Sequence, residues 1–320
     1  MGISDEALES KKYEFETYDE EELFGNKNVA LAKLSRENVA KIEAIIKLDS
    51  NYAKSSDINA APRKKNSKDD LDISDLSENE LKSDFNSLSY SYGGSTAWWF
   101  KQFLNSKFQD STNLSDIRFL VSGAVAAVDR ENSTHLNSTS KVTQNKTTPI
   151  GRTVITERIC RRCITIGGLK ERLKNDDFTE EGLLSKLAEL IDIDVIKELV
   201  DKSSIKCSKE RTNLSFASKF CHYASFYLFD KDEYRDRYSI FDREVGRLLP
   251  YYLSSRHLNL NLPATLKITR NMFVNDQGAS KKQVSYALYH ECIGQVIKNS
   301  NISRNGFDHL LWYYYKGKTL

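Results

Sequence analysis

The residues with the greatest chemical potential fall in one stretch of the chain, from Leu199 to Leu249. It opens with a basic segment, 200–212, which is predicted as a tight turn between two helices. Such a turn presents backbone N–H groups and cationic side chains to a phosphate. The candidate phosphate ligands in this turn are Lys202, Lys206, Lys209 and Arg211.

Two ionisable residues follow the basic turn, Lys219 in an apolar helix predicted over 214–229 and Asp242 in a helix predicted over 240–253. The Lys219 amine could act as a nucleophile, or it could pair with Asp242 or a backbone carbonyl, because an unpaired buried lysine is costly. The Asp242 carboxylate could stabilise a cationic transition state, and it could also cap its helix. The two residues are 23 positions apart, so only the folded chain could bring them together.

The segments SFASKFCHYA (215–224) and YSIFDREVGRLL (238–249) resemble the core of helix–hairpin–helix DNA glycosylases of the 8-oxoguanine glycosylase type. The resemblance is closest to a bacterial branch of that superfamily and covers about 199–253, under a fifth of the chain. It implies a mainly α fold of glycosylase-like helical domains with a few short strands. It also implies an enzyme that flips a modified or damaged base out of double-stranded DNA and excises it, in defence against phage DNA.

The resemblance also implies roles for individual residues. Asp242 matches the aspartate that stabilises the oxocarbenium-like sugar or activates water. Ser215 falls where the family places its nucleophilic lysine, and Lys219 lies one helical turn further on the same face. The family's glycine-containing hairpin has no counterpart, since 200–212 holds no glycine. These departures favour a monofunctional glycosylase, in which Asp242 stabilises charge, water attacks C1′ and an abasic site remains; whether Lys219 forms a Schiff base stays open.

An extruded base needs a pocket with aromatic faces and a few polar groups. The candidates for such a pocket are Trp98, Trp99, Ser215, His222 and Tyr223. The aromatic residues among them also stand at helical spacing, which for any single one is more typical of a packed core.

The charge balance excludes a protein that packages DNA by bulk charge. Among 320 residues, 47 Lys and Arg face 45 Asp and Glu, for a net charge of +2. The segment 152–174 nevertheless holds seven basic residues against two acidic ones, which fits either a DNA-facing surface or a solvated one. Arg161 and Arg162 from this segment, together with Arg243, are further candidate DNA contacts.

Cofactors and membranes are not expected. Cys160 and Cys163 form a lone C-x-x-C without a second pair of metal ligands, so neither a metal nor another cofactor is predicted. The acidic N-terminal segment has no apolar signal region, and no run approaches the ~18 apolar residues of a membrane span. These features predict a cytoplasmic protein without a membrane partner.

Composition divides the chain into four predicted segments, which are a helical N-terminal region (1–50), a polar linker (51–88), an aromatic helical subdomain with a polar loop (89–150) and a helical glycosylase-like domain (151–320). Apolar spacing predicts a helix over 15–50, with Asn28 and Ser35 as possible caps. Segment 117–129 fits a helix or a strand. Alternation favours short strands only at 152–156 and 266–269.

Two other function classes compete with the glycosylase. One is a non-catalytic helical module that binds DNA or regulates an antiphage response, with the hairpin contacting phosphate. The other is a nuclease, which would need a carboxylate cluster for metal ions. No paired-carboxylate motif stands on a predicted strand, so the nuclease ranks last.

Overall fold

The computed structural model describes residues 14–63, 70–71, 77, 93–105, 108, 113–132, 155–157, 159–160, 166–175, 214–262, 266–270, 272–273, 286–316, 318 and 320. These residues are mainly helical, which confirms the expected mainly α class. No helix among them combines the length and apolar character needed to cross a membrane.

The secondary structure consists of short helices and one small hairpin. In chain order the elements are β1 (Glu21–Leu23), β2 (Asn26–Val29), α1 (Arg36–Ile46), α2 (Ser50–Ser56), α3 (Thr96–Gln102), α4 (Leu114–Asn132), α5 (Ile166–Asn175), α6 (Leu214–Leu228), α7 (Asp232–Arg235), α8 (Arg243–Ser254), a 3-10 turn (Arg256–Leu258), α9 (Tyr286–Ile297) and α10 (Arg304–Tyr315). The chain forms two compact units. Unit 1 comprises Met1–Ala53 and Asp236–Leu320, and unit 2 comprises Lys54–Arg235.

The helix predicted over 15–50 is wrong for its first half, where β1 and β2 form an antiparallel hairpin. The turn between the strands places Phe24 and Gly25 at φ 53° and 82°, and a right-handed helix cannot continue through two left-handed residues. The helix begins after Ser35, whose hydroxyl accepts the Asn38 N–H at 3.2 Å and confirms this possible cap. Asn28, the other possible cap, lies in β2 and caps no helix.

Two segments that were expected to be strands are not, and a third, which fitted either a helix or a strand, is a helix. Residues 266–269 form no strand, and 155–157, which overlap the other expected strand, are helical. The segment 117–129, ambiguous in sequence, lies inside α4. Its length settles the choice, because a 19-residue element is far longer than an ordinary strand.

Helices α1, α8, α9 and α10 build the core of unit 1. Two buried tyrosine hydroxyls attach the segment after β2 to this core. The Tyr252 hydroxyl donates to the Ala32 carbonyl at 3.0 Å, while the Tyr315 hydroxyl accepts the Ala32 N–H at 2.8 Å. The two hydroxyls are themselves 2.9 Å apart. Both backbone groups of Ala32 are thereby satisfied by tyrosine hydroxyls, while the flanking Leu31 and Lys33 bond to the backbone beside Thr17.

Helices α3, α4 and α6 pack together in unit 2. The Trp99 ring lies directly on Gly123 of α4, where a Cβ atom would come within 2.2 Å of the indole. Glycine is therefore required at 123 for this close approach. Phe100 of α3 meets Phe220 of α6 edge-on, with ring centroids 5.4 Å apart.

Candidate active site

Asp242 occupies the N-terminus of α8 and is 9% exposed. Its Oδ1 accepts the backbone N–H groups of Glu244 and Val245 at 2.8 and 3.1 Å. Its Oδ2 accepts the indole N–H of Trp312 in α10 at 2.9 Å. Three N–H donors from two helices thus hold the carboxylate in one orientation, at the positive end of the α8 dipole.

This arrangement suits a fixed negative charge. The Asp242 carboxylate accepts hydrogen bonds from all three donors. Because it is largely buried, water screens its electric field only weakly. A preoriented charge of this kind can stabilise a cation that develops in front of it. The cap that sequence analysis proposed as the alternative role is the same geometry, so capping and catalysis are compatible at Asp242.

Two tyrosines of helix α9 form hydrogen bonds with the backbone of Ser239 and Ile240, just before Asp242. The Tyr286 hydroxyl donates to the Ser239 carbonyl at 2.8 Å and accepts the Ser239 N–H at 2.9 Å. The Tyr289 hydroxyl donates to the Ile240 carbonyl at 2.8 Å. Burial, and secondarily the charge of Asp242, hold the pKa of Tyr289 well above its usual value, so this phenol remains a donor.

A buried polar cluster reinforces the same loop. The Arg304 guanidinium donates from Nη1 to Ser239 Oγ and to the His290 carbonyl, each at 3.1 Å. Ser239 Oγ also lies within hydrogen-bond distance of His290 Nδ1, at 3.1 Å. Burial, followed by the charges of Arg304 and Arg237, lowers the pKa of His290 to about 3. His290 is therefore neutral at neutral pH.

Two cationic side chains of unit 1, Arg243 and Lys316, lie next to members of the Asp242–Trp312 pair. Arg243, a predicted DNA contact, is exposed in the first turn of α8. The Lys316 ammonium lies 3.6 Å above the centroid of the Trp312 ring, so the indole contacts a carboxylate at its edge and an amine on its face.

Helix α6 of unit 2 carries Lys219 and three of the pocket candidates. Ser215, Lys219 and Tyr223 recur every four residues and are half-buried, so they share the less buried face of this helix. His222 is buried and stacks on Phe226, with ring centroids 6.2 Å apart. The structure thus brings three of these four candidates onto one face and places His222 in the packed interior.

The tryptophan candidates lie in α3, which packs against α6. Trp98 and Trp99 are 7% and 2% exposed, and their rings meet edge-on at 4.9 Å. The Trp99 indole donates to the Gly93 carbonyl at 3.2 Å. Trp99 therefore occupies a core position with its polar atom satisfied, as its helical spacing also predicted.

Several predicted residues cannot be placed. The candidate phosphate contacts Lys202, Lys206, Lys209, Arg211, Arg161 and Arg162 lie outside the described residues. Cys163 and Cys207 do so as well, whereas Cys160 is buried. Across the described ranges, no group of three or more His, Cys, Asp or Glu side chains could hold a metal ion.

Sequence reasoning missed Trp312, the side-chain partner of Asp242, and the residues that hold the preceding loop at Ser239. Trp312 lies in a run of aromatic residues that predicts only core packing, and His290 and Arg304 fit no catalytic spacing. The weak signal was the pairing of Trp312 with Lys316, an aromatic and a cation four residues apart on one helix face.

The fold and site define a mainly helical protein with an oriented, buried carboxylate at a helix N-terminus and basic side chains around it. Comparison of the chain with protein-family models, with curated proteins and with solved structures finds no match in any of the three. Function must therefore be inferred from the residues and geometry of this chain.

Proposed function

We propose that the protein is a DNA N-glycosylase, which flips out a modified or damaged base and hydrolyses its N-glycosidic bond. The observation that carries the proposal is the Asp242 carboxylate, fixed at the start of α8 by two backbone amides and the Trp312 indole. The resemblance of 215–224 and 238–249 to glycosylases supplies the reaction class. Because it is closest to an atypical bacterial branch, the proposed substrate is a modified base of foreign DNA.

The reaction needs a negative charge beside the sugar. As the N-glycosidic bond breaks, the base leaves with the bonding electrons and takes up a proton, and positive charge develops on C1′ and the ring oxygen. Asp242 stabilises that charge, water adds to C1′ and loses a proton, and an abasic site remains. Little energy is spent on reorienting the carboxylate during the reaction, because its hydrogen bonds fix it beforehand.

The proposal is tested with Asp242→Asn and mass spectrometry of bases released from duplexes that carry phage-type modifications or damaged bases. Asparagine caps helices as well as aspartate does, so α8 should persist. Its amide nitrogen would face the Trp312 N–H, and the double variant Asp242→Asn/Trp312→Phe removes that clash. We expect base release to fall at least about 100-fold in both variants while DNA binding persists.

Undiminished base release by Asp242→Asn would refute the catalytic role. The capping geometry supports a second candidate function, a non-catalytic DNA-binding module, since the cap alone accounts for the contacts of Asp242 with α8. If the unaltered protein binds duplexes but releases no base from any of them, the binding module replaces the enzyme.

A further inference from the structure

Two lysines at the end of α10 lie on aromatic rings. The Lys316 Nζ is 3.6 Å from the centroid of Trp312, and the Lys318 Nζ is 3.6 Å from that of Tyr314. In both pairs the lysine follows its ring by four residues, and both lysines come after Tyr315, the last residue of the helix. A ring face holds an ammonium in place without consuming its N–H donors, which stay available to an oxygen acceptor.

Two arginines of α8 extend this row of cations. Arg247 pairs with Glu244 at 3.0 Å, and its Nη2 also donates to the Lys318 carbonyl at 3.4 Å. Arg243 is exposed at the start of the same helix. We call Arg243, Arg247, Lys316 and Lys318 the basic rim. Trp312 joins the rim to the site, because its face carries Lys316 and its N–H contacts Asp242.

We propose that the basic rim binds the phosphates that flank the nucleotide whose sugar meets Asp242. The proposal rests on the glycosylase function and adds where in unit 1 the DNA backbone is held. The rim concentrates four cations on a chain whose net charge is only +2. The acidic groups that act on its Lys316 include Asp49, Glu244 and Asp242.

A catalytic carboxylate creates the need for such a rim. Asp242 repels the phosphates of any strand that approaches it, and nearby cations offset that repulsion. Cations interleaved with aromatic faces are also typical of surfaces that hold a nucleic-acid backbone. An oriented carboxylate and lysines on aromatic rings occur together here, at the N-terminus of α8 and the C-terminus of α10.

The test measures binding of an unmodified double-stranded oligonucleotide over a range of KCl concentrations for Lys316→Gln, Lys318→Gln and the double variant. Each phosphate contact releases condensed counterions, so we expect each substitution to reduce the slope of log K against log salt by about 0.9 and the double variant by about 1.8. The matched control is Lys27→Gln. Lys27 is exposed beside Phe24, which packs on Tyr251 near the opposite end of α8 from Asp242.

A double variant with an unchanged slope would overturn the rim, as would an equal loss of slope in Lys27→Gln. Lys316→Arg should restore the slope, because it retains the cation. A reduced slope in a protein that releases no base from any duplex would keep the rim and reject the glycosylase. If the unaltered protein releases base but the double variant keeps its slope, the glycosylase stands and the rim is rejected.

Discussion

The indole Nε1 of Trp312 donates a 2.9 Å hydrogen bond to Oδ2 of Asp242, across 70 residues of sequence. The other carboxylate oxygen is held by the first turn of α8, so α8 and α10 each fix one oxygen. Rotation of the carboxylate would break the hydrogen bonds that both of its oxygens accept. Trp312 is therefore a positioning residue for the group that we propose to be catalytic.

Trp312→Phe should slow base release about 10-fold, because the ring persists while the N–H that orients Asp242 is lost, and hydrogen bonds to charged groups contribute about 1.5–3 kcal/mol. Single-turnover assays of base release, with affinity measured separately, check this expectation. We expect the loss in kcat, with KM and DNA affinity nearly unchanged. A variant that loses affinity but keeps the unaltered rate would show that Trp312 supports binding instead.

Lys219 should not form a covalent intermediate, because the proposed reaction uses water at C1′. Borohydride reduction during the reaction is expected to trap no protein–DNA adduct, and Lys219→Gln should change base release by less than about 10-fold. Ser215→Ala is the matched control, since Ser215 stands on the same face of α6 at the position of the family's nucleophile. An adduct that forms with the unaltered protein and disappears in Lys219→Gln would refute the monofunctional assignment.

Local features were predictable because they depend on neighbouring residues. The caps at Ser35 and Asp242 follow from short polar side chains placed before apolar periodic segments, and each accepts a backbone N–H of its own helix. The class was predictable for the same reason, since helical spacing recurs along most of the chain.

Long-range features were not predictable. No pattern links Trp312 to Asp242, or Arg304 to Ser239 and His290, because these contacts depend on how α8, α9 and α10 pack. The assembly of 1–53 with 236–320 into one unit likewise has no local signal. The β1–β2 hairpin was missed because apolar residues three and four positions apart indicated a helix. The turn at Phe24 gave no warning, since phenylalanine rarely adopts a positive φ.

Gly123→Ala should destabilise unit 2 by about 1–3 kcal/mol. A Cβ atom would lie 2.2 Å from Cε3 of Trp99, and relieving that overlap would disturb the packing of α3 on α4. The preference of helices for alanine offsets about 1 kcal/mol of the cost. Urea unfolding checks the prediction, with Gly93→Ala as the control because a Cβ there meets nothing within 4 Å. Equal stability of the two variants would contradict the close packing of Trp99 on Gly123.

The protein should lose stability in acid through His290, whose pKa is lowered from 6.5 to about 3 by burial and by Arg304 and Arg237. Above pH 6.5 the imidazole is neutral in both the folded and the unfolded chain. As the pH falls from 6.5 toward 3, the unfolded chain gains a proton that the folded chain resists, so folding becomes less favourable. For this group alone, the free energy of unfolding falls by about 2 kcal/mol between pH 7.5 and pH 5.0.

The His290→Asn variant isolates this contribution. An asparagine side chain can replace the imidazole as the hydrogen-bonding partner of the Ser239 hydroxyl, because its amide both donates and accepts, but it does not titrate. Urea unfolding at pH 7.5 and 5.0 should therefore show a smaller acid loss in the variant than in the unaltered protein, by about 2 kcal/mol. An identical pH dependence of the two proteins would mean that His290 takes up its proton equally well when folded.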